Sequence, residues 1–279
     1  MAKRRYEFDE TKIARFHKEG RGTGLGKDYK PWLNIQDVSS LGRSSRVFSF
    51  KTGREHHFLS DLETNLFHLL NWSDAVVDIR EQFPLDRAVT RMLAKEMGIV
   101  HPRDTKTQTD IVMTTDFVID VVTSGKERFT KALSGKYASE LLDLRTLEKQ
   151  ELERRYWQRE KTDWGIVTDQ DLPADRIANL RWLHEMYSLD RLKVPHVDYW
   201  PDRCARFIGE LSRARGGLIQ DFTKHLEERC DFAQGDAMTV LRHLAATKQI
   251  AINLDKPFSA RDAVTTLVLV GPSSARRTA

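Results

Sequence analysis

Two β-rich segments joined by a short polar turn constrain the fold of this chain more than any other feature. Residues 115–122 and 129–136 are rich in β-branched and other apolar side chains, and Ser124-Gly125 between them is a typical turn pair. The pattern predicts a β-hairpin. A highly charged stretch from about 140 to 161 predicts a long helix after it, which favours a mixed α/β domain.

Shorter signals on either side of the hairpin fit the same domain. Ser60 and Glu63 form a capping box, which predicts the start of a helix. The other segments predict helices over 9–19 and 87–97 and strands over 76–79 and 164–168. We therefore expect a mixed sheet flanked by helices over residues 1–170.

Beyond residue 170 the chain changes character. Residues 171–272 carry helical periodicity in four segments, followed by two short β-prone stretches at 250–254 and 263–270. The four predicted helices cover 175–187, 202–214, 217–230 and 235–247. Helices followed by a small hairpin suit a winged-helix-like domain that binds DNA or a partner, by analogy at the level of fold alone. Residues 273–279 are expected to form a disordered tail.

The charge balance permits a polyanionic partner without requiring one. The chain has 45 Lys and Arg against 41 Asp and Glu, a net charge of +4. Cys204 and Cys230 belong to no CxxC pattern, so we expect free thiols and no zinc ribbon. Residues 1–6 are basic with no apolar run behind them, and no segment reaches the length of a membrane span. These features predict a cytoplasmic protein with no membrane contact.

A glycine-rich basic loop at residues 20–27 has some features of a phosphate-binding loop. The Walker spacing, however, needs glycine where this chain has Arg21, and Asp28 replaces the Ser or Thr that should follow the lysine. No strand is predicted before the loop. A flexible connection is the preferred interpretation, and a backbone contact to a DNA phosphate is the alternative.

Three residues on successive elements are candidates for catalysis: Glu63, Asp116 and Lys136. Phosphodiester hydrolysis needs charge neutralisation and an activated water, and a magnesium ion held by oxygen ligands can supply both. A nearby lysine can orient the water and balance charge in the transition state. Each residue also has a structural explanation, because Glu63 fits a helix cap and the other two fit strand ends.

Other polar residues near these positions have simpler interpretations. Asp120 shares a strand face with the first acid of its strand, and a solvated strand end is favoured for it. The adjacent His56 and His57 should point to opposite faces of a strand, so ordinary packing or a phosphate contact is expected.

Along the charged helix, one apolar stripe is predicted to face the core, with Glu148 inside it and Glu153 on its flank. The stripe consists of Leu141, Leu144, Leu147, Leu152 and Tyr156. A glutamate on a buried stripe needs a cationic partner, since an unpaired buried charge is costly. The helix can therefore support a site from behind, and a salt bridge on the helix surface is the plainer alternative.

Longer stretches around these residues resemble the TnsA family, the endonuclease subunits of the transposases of Tn7-like elements. The matching stretches are KEGRGTGLGKDY at 18–29, GREHHFLSDLE at 53–63, DIREQFPL at 78–85, TDFVID at 115–120 and RTLEKQELERRYW at 145–157. They cover most of the first 160 residues and are far more specific than three scattered polar residues. Beyond about residue 170 the resemblance is faint.

The resemblance implies a restriction-endonuclease-like domain followed by a smaller winged-helix-like one. It implies a nuclease that uses Mg²⁺, for which Mn²⁺ can substitute, and that cuts the 5′ ends of a transposon. Its partners would be transposon-end DNA, the transposase TnsB, which cuts and joins the 3′ ends, and the ATPase TnsC, within a hetero-oligomeric transpososome. Some relatives work with CRISPR effectors as targeting devices.

The family's site residues can be carried over by motif. Its helix acid falls on Glu63 and its strand acid on Asp116, which implies that both bind the metal. Its lysine falls on Lys136, implied to position the attacking water, and a helix glutamate falls on Glu153, implied to lie behind the ligands.

The chain departs from the family at one position of the site. The family has a glutamine two residues before the lysine, and here that residue is Ser134, followed by Gly135. Serine can still reach a metal through a water molecule, and the backbone carbonyl of Gly135 can be a direct ligand.

Two other functions compete with a regulated endonuclease. One is a catalytically degenerate subunit that only bridges TnsB and TnsC. The other is a standalone restriction-type nuclease, which is disfavoured because nothing in the sequence suggests base readout and uncontrolled cutting would be toxic.

Overall fold

The computed structural model describes residues 7–38 and 43–271. The chain divides into two compact units, Met1–Leu172 and Pro173–Ala279. The predicted tail at 273–279 and the basic residues 1–6 lie outside the described residues. Within the described ranges, no helix is both long enough and apolar enough to cross a membrane.

The first unit is built on a four-stranded mixed sheet. Its elements are α1 (Glu10–Lys18), β1 (Ser45–Ser49), β2 (Arg54–Phe58), α2 (Asp61–Trp72), β3 (Val76–Pro84), α3 (Arg87–Glu96), β4 (Thr114–Val122), β5 (Arg128–Lys136), α4 (Leu144–Arg159) and β6 (Asp163–Thr168). The sheet order is β3-β4-β5-β6, with antiparallel neighbours except for the parallel pair β5 and β6. The predicted hairpin is the centre of this sheet, and the mixed α/β class is confirmed.

Helices cover both faces of the sheet. On one face, Phe67 of α2 packs with Phe117 and Ile119 of β4. On the other face, Leu152 of α4 packs with Val118 of β4, together with residues of α3. The alternation of side chains along a strand explains how β4 contributes to both cores. Because the sheet is buried on both sides, polar side chains along its strands must find partners at the ends or edges.

The charged helix begins later than predicted. Residues Ala138–Leu142 form a short 3₁₀ helix, and Asp143 caps α4 by accepting a 2.7 Å hydrogen bond from the Thr146 backbone N–H. The predicted apolar stripe is wrong at its first half, since Leu144 is 72% and Leu147 44% exposed. Burial starts only further along α4, with Gln150, Leu152, Glu153, Tyr156 and Trp157.

A second hairpin, formed by β1 and β2, has no counterpart among the predicted elements. Its inward side chains on β2 include Arg54 and His56, which are buried beside Phe58. Two polar residues at inward positions hide the apolar alternation that normally indicates a strand. His56 is fully buried while the His57 side chain is 16% exposed, in the alternating burial of β2 that puts the two histidines on opposite faces.

The second unit contains the four predicted helices and a very short hairpin. Its elements are α5 (Ala174–His184), α6 (Tyr199–Arg213), α7 (Ile219–Arg229), α8 (Asp236–Ala246), β7 (Ile250–Ala251) and β8 (Val268–Leu269). Phe207, Leu226 and Leu244, from three of the helices, form part of one core that is closed by Ile250. β7 and β8 pair antiparallel over two residues each. The likeness to a winged helix stays a prediction.

Candidate active site

Four polar residues from four elements of the first unit meet at one end of the mixed sheet. Glu63 comes from the first turn of α2, Asp116 from β4, Lys136 from the end of β5 and Glu153 from the middle of α4. Hydrogen bonds connect Glu63, Asp116 and Lys136, directly or through the side chain of Gln82. Glu153 joins them through the charges of Asp116 and Lys136. The structure therefore places close together the four residues that the sequence named as candidates for the site.

Glu63 both caps its helix and faces the site. Its backbone N–H donates to Ser60 Oγ at 3.1 Å, and its carboxylate accepts from the Leu59 N–H at 3.1 Å and from Ser60 Oγ at 2.9 Å. The residue is 7% exposed. Burial, followed by the negative charge of Asp116, raises the pKa of Glu63 to about 7. The cap fixes the carboxylate, and the raised pKa shows that its negative charge is poorly compensated.

Asp116 is held by the end of the neighbouring strand. Its Oδ2 accepts a 2.9 Å hydrogen bond from the Gly135 N–H and lies 3.2 Å from Lys136 Nζ. Lys136 Nζ also donates to the Gly135 carbonyl at 2.7 Å. Burial works to lower the pKa of Lys136, but Asp116, Glu153 and Glu63 together raise it. Lys136 thus remains a cation among acids.

Glu153 lies behind these residues in a fully buried network. Its Oε1 accepts from Ser134 Oγ at 2.5 Å, Thr115 Oγ1 at 2.6 Å and Trp164 Nε1 at 3.1 Å. Burial, then the charge of Asp116, raises the pKa of Glu153 above its ordinary value. Ser134 is 1% exposed, and its hydroxyl donates a hydrogen bond to Glu153, an acid of the site.

Gln82 on β3 is a site residue that the sequence did not indicate. Its side-chain Nε2 lies 3.3 Å from Glu63 Oε2 and 3.4 Å from Asp116 Oδ1. The only available signal was its position inside the stretch 78–85, one of those that resemble the TnsA family.

The donor set of the site fits a hard divalent cation. Glu63 and Asp116 offer carboxylate oxygens and Gly135 a backbone carbonyl, while Lys136 is a cation that contacts Asp116 and the Gly135 carbonyl. Acids exceed cations in this buried group, and burial together with the charge of Asp116 raises the pKa of Glu63. Magnesium prefers oxygen ligands of this kind and completes its shell with water.

Comparison with known proteins identifies the family. A model described as TnsA-like endonuclease N terminal matches residues 73–169, and one described as TnsA endonuclease C terminal matches residues 171–254. The chain is 42% identical over 267 residues to the transposon Tn7 transposition protein TnsA of Escherichia coli, which covers 93% of this chain and 92% of that protein. The chain belongs to the TnsA family. The resemblance read from the motifs is confirmed, and it extends through the second unit, where the motifs were faint.

Two other acids of this TnsA-family chain have structural roles. Asp120 is 5% exposed and pairs with Arg80 at 2.8 Å and Arg128 at 2.7 Å, so its interpretation as a solvated strand end is wrong. The two strands beside β4 supply these cations, Arg80 from β3 and Arg128 from β5. Glu148 pairs with Arg145 at 2.6 Å on the surface of α4, which confirms the plainer alternative.

The glycine-rich loop, another stretch that resembles the TnsA family, packs against the sheet. A side chain at Gly22 would meet Pro84 Cγ at 2.2 Å, so only glycine permits this approach. The Gly26 N–H donates to Asp78 Oδ1 at 3.2 Å, and Arg54 Nε donates to the Gly26 carbonyl at 3.1 Å. The glycines therefore serve close packing in a fixed loop.

A cleft of about 680 Å³ opens beside this loop. The charged side chains in its lining are Lys18, Arg21, Lys27, Lys30 and Arg54 against Glu19 and Glu55, with His57 beside them. Of the cations, Arg54 and Arg21 are engaged with Glu81 and Asp37, whereas Lys18 and Lys27 are exposed. The cleft therefore presents positive charge to solvent.

The second unit holds both cysteines as free thiols, as predicted. Cys230 lies near Glu210 and His225, with one donor atom of each within 4.8 Å of the others. Glu210 is already paired with Arg213 at 2.6 Å, and His225 is exposed. This group lacks the buried acid network of the first unit.

Proposed function

We propose that this chain is a magnesium-dependent DNA endonuclease that cuts the 5′ ends of a transposon, on the strands that are not transferred. The observation that carries the proposal is the meeting of Glu63, Asp116 and Lys136 at one end of a mixed sheet, as expected of a restriction-endonuclease-like nuclease. Membership of the TnsA family supports it.

The residues of the site divide the work. Glu63, Asp116 and the Gly135 carbonyl would hold Mg²⁺, or Mn²⁺ in its place. The bound ion would neutralise charge on the scissile phosphate and ease deprotonation of the attacking water. Lys136, a cation 3.2 Å from Asp116, would orient that water and balance the charge of the transition state. Glu153 would keep β5 and α4 in place, and Ser134 would act through Glu153.

The cationic cleft would bind the DNA backbone next to the site. Pro31 lines the cleft, and the next residue, Trp32, reaches β3 at Gln82, whose carbonyl accepts a 3.1 Å hydrogen bond from the Trp32 N–H. Lys18 and Lys27 are placed to contact phosphates, and such contacts release counterions. DNA binding should therefore weaken steeply as salt rises.

The endonuclease would act only inside a hetero-oligomeric transpososome. TnsB would cut and join the 3′ ends, TnsC would couple cutting to target selection, and the second unit would bind TnsC or DNA. This division of labour rests on the family resemblance. A requirement for partners explains how a nuclease without base readout avoids cutting at random.

The test is a reconstituted cleavage reaction with transposon-end DNA, TnsB, TnsC and Mg²⁺, in which breaks are mapped on each strand. We expect Asp116→Ala and Lys136→Ala to lose the 5′ cuts while the 3′ cuts persist. Lys131→Ala is the matched control, because Lys131 lies on the same strand and pairs with Asp163 at 2.9 Å away from the acids. It should cut both strands normally.

Three results would contradict parts of the proposal. Normal 5′ cutting by both site variants would overturn the residue assignment. An intact 5′ strand with the unaltered chain, in a reaction that makes 3′ cuts, would instead favour a scaffold subunit that bridges TnsB and TnsC. Cutting by the chain alone would favour a standalone nuclease.

A further inference from the structure

Gln82 combines burial with a backbone conformation that side chains rarely adopt. It is 2% exposed and has φ of 48°, in the left-handed region, although it lies inside strand β3. Strain of this kind persists only where the surrounding structure fixes it, and it is frequent at functional sites.

The left-handed residue lies directly opposite Asp116 in the sheet. The regular ladder pairs that flank the two residues are Glu81–Phe117 and Phe83–Thr115. Before this point Ile79 packs in the core beneath α2, whereas beyond it Phe83 packs against Trp157 of α4, with ring centroids 5.8 Å apart. Ile79 and Phe83 would share a face in a regular strand. The kink at Gln82 instead places Phe83 on the α4 face of the sheet, beside the site.

Four hydrogen bonds hold the backbone and the side chain of Gln82. The Trp32 N–H donates to its backbone carbonyl at 3.1 Å. Thr114 Oγ1 donates to its side-chain Oε1 at 2.9 Å, and the other end of the amide faces two carboxylates, which when ionised can only accept and so require an amino group there. That amino group faces Glu63 Oε2 at 3.3 Å and Asp116 Oδ1 at 3.4 Å. One NH₂ group therefore spans two carboxylates.

We propose that Gln82 is a positioning residue that holds Glu63 and Asp116 at the spacing needed to share one divalent cation. This inference rests on the proposed function, in which those two acids bind the metal. Two buried carboxylates repel each other, and an amide that donates to both offsets the repulsion without adding charge. The hydrogen bond from Thr114 supports the orientation in which the amide points its NH₂ group at the acids.

The test is Mn²⁺ binding to the full chain, measured by calorimetry and by loss of the free-ion electron paramagnetic resonance signal. Gln82→Gly keeps the left-handed backbone accessible but removes the amide, and we expect Mn²⁺ affinity to fall by about 10- to 100-fold. Thr114→Val removes the group that orients the amide and should weaken binding several-fold. Thr114→Ser keeps the hydroxyl and should restore binding.

The matched control is Gln108→Gly. Gln108 is the other left-handed glutamine among the described residues, with φ of 57°, and it lies on an exposed loop, so its replacement should leave Mn²⁺ binding unchanged. Circular dichroism and the unfolding midpoint check that each variant is folded.

The outcomes separate the two proposals. Wild-type binding by a folded Gln82→Gly variant, or by Thr114→Val if the glycine variant does not fold, would overturn the role of Gln82 and leave the endonuclease intact. An equal loss in Gln108→Gly would also overturn it, because the effect would then be general. Absence of Mn²⁺ binding by the unaltered chain would overturn the metal site itself, and the role of Gln82 with it.

Discussion

Consecutive residues of β3 take part in two buried polar clusters that are built in opposite ways. Glu81 accepts hydrogen bonds from Arg54 Nη1 and His56 Nδ1, each at 2.8 Å, and is completely buried. Gln82 instead lies between Glu63 and Asp116, two acids. We name the first the Glu81 cluster and the second the acid site.

The acids of the two clusters are shifted in opposite directions. Burial tends to raise the pKa of Glu81, but His56 and Arg54 overcome it and lower the value to about 2. Burial and Asp116 raise the pKa of Glu63 to about 7. Burial lowers the pKa of His56, so Arg54 is the permanent cation that matches Glu81 and stabilises the fold. Acids in excess of cations instead keep affinity for a further cation. The difference separates a structural cluster from a candidate active site.

The largest expected effect is a loss of stability when the acid of the Glu81 cluster is neutralised, with no such loss at the acid site. Glu81→Gln leaves Arg54 buried without its counter-charge, and we expect a loss of about 3–5 kcal/mol in the free energy of unfolding. Glu63→Gln removes a poorly compensated charge and should leave stability unchanged or higher in metal-free buffer. Urea unfolding of both variants measures this. A Glu63→Gln variant as unstable as Glu81→Gln would show that both clusters are structural.

The second effect is the pH dependence of stability without divalent ions. The pKa of Glu63 is raised in the folded chain, so its contribution is fully present below about pH 4.5 and is lost as pH rises through about 7. The shift corresponds to about 3 kcal/mol. The pKa of Glu81 is lowered, so its contribution is present above about pH 4.5 and is lost as pH falls towards 2.

The Glu63→Gln variant tests which residue causes the loss of stability at high pH. Unfolding measured in EDTA across this pH range should lose its alkaline decline in Glu63→Gln and keep its acid decline. A decline that persists unchanged in Glu63→Gln would place the responsible group elsewhere.

The third effect is stabilisation by magnesium, which should act through the acid site alone. An ion at a hundredfold excess over its dissociation constant stabilises the folded chain by about 2.7 kcal/mol. We expect a rise of the unfolding midpoint in the unaltered chain and none in Asp116→Asn. Asp120→Asn, a change of an acid on the same strand, should keep the rise because Asp120 is paired with Arg80 and Arg128. An equal rise in Asp116→Asn would contradict metal binding at this acid.

The acid site could be predicted from the sequence only as far as local signals reach. The alternating segments and their turn indicated the hairpin, and a capping box placed Glu63 at a helix start. The resemblance to the TnsA family then assigned Lys136. Gln82 carried no such signal, because its side-chain contacts lie 19 and 32 to 34 residues away. A glycine in the sequence can indicate a left-handed backbone, whereas a glutamine such as Gln82 does not.

The Glu81 cluster was missed for a related reason. Arg54 and His56 occupy inward positions of β2, so the strand shows polar residues where the pattern of a half-buried strand calls for apolar ones. Only the three-dimensional neighbourhood reveals that Glu81, 25 to 27 positions later, compensates them. Long-range pairing of buried charges leaves no periodic trace in a single sequence.

The smallest expected effect concerns Ser134, where this chain departs from its family. Ser134 Oγ is one of three donors to Glu153 Oε1, so Ser134→Ala should cost about 1 kcal/mol of stability and lower cleavage only modestly. Ser212→Ala, which removes a hydroxyl bonded to the Gly209 carbonyl in the second unit, is the control and should cleave normally. If Ser134→Ala abolished 5′ cutting as completely as Asp116→Ala, Ser134 would contact the reacting groups itself. The acid site would then extend to the residue that takes the place of the family's glutamine.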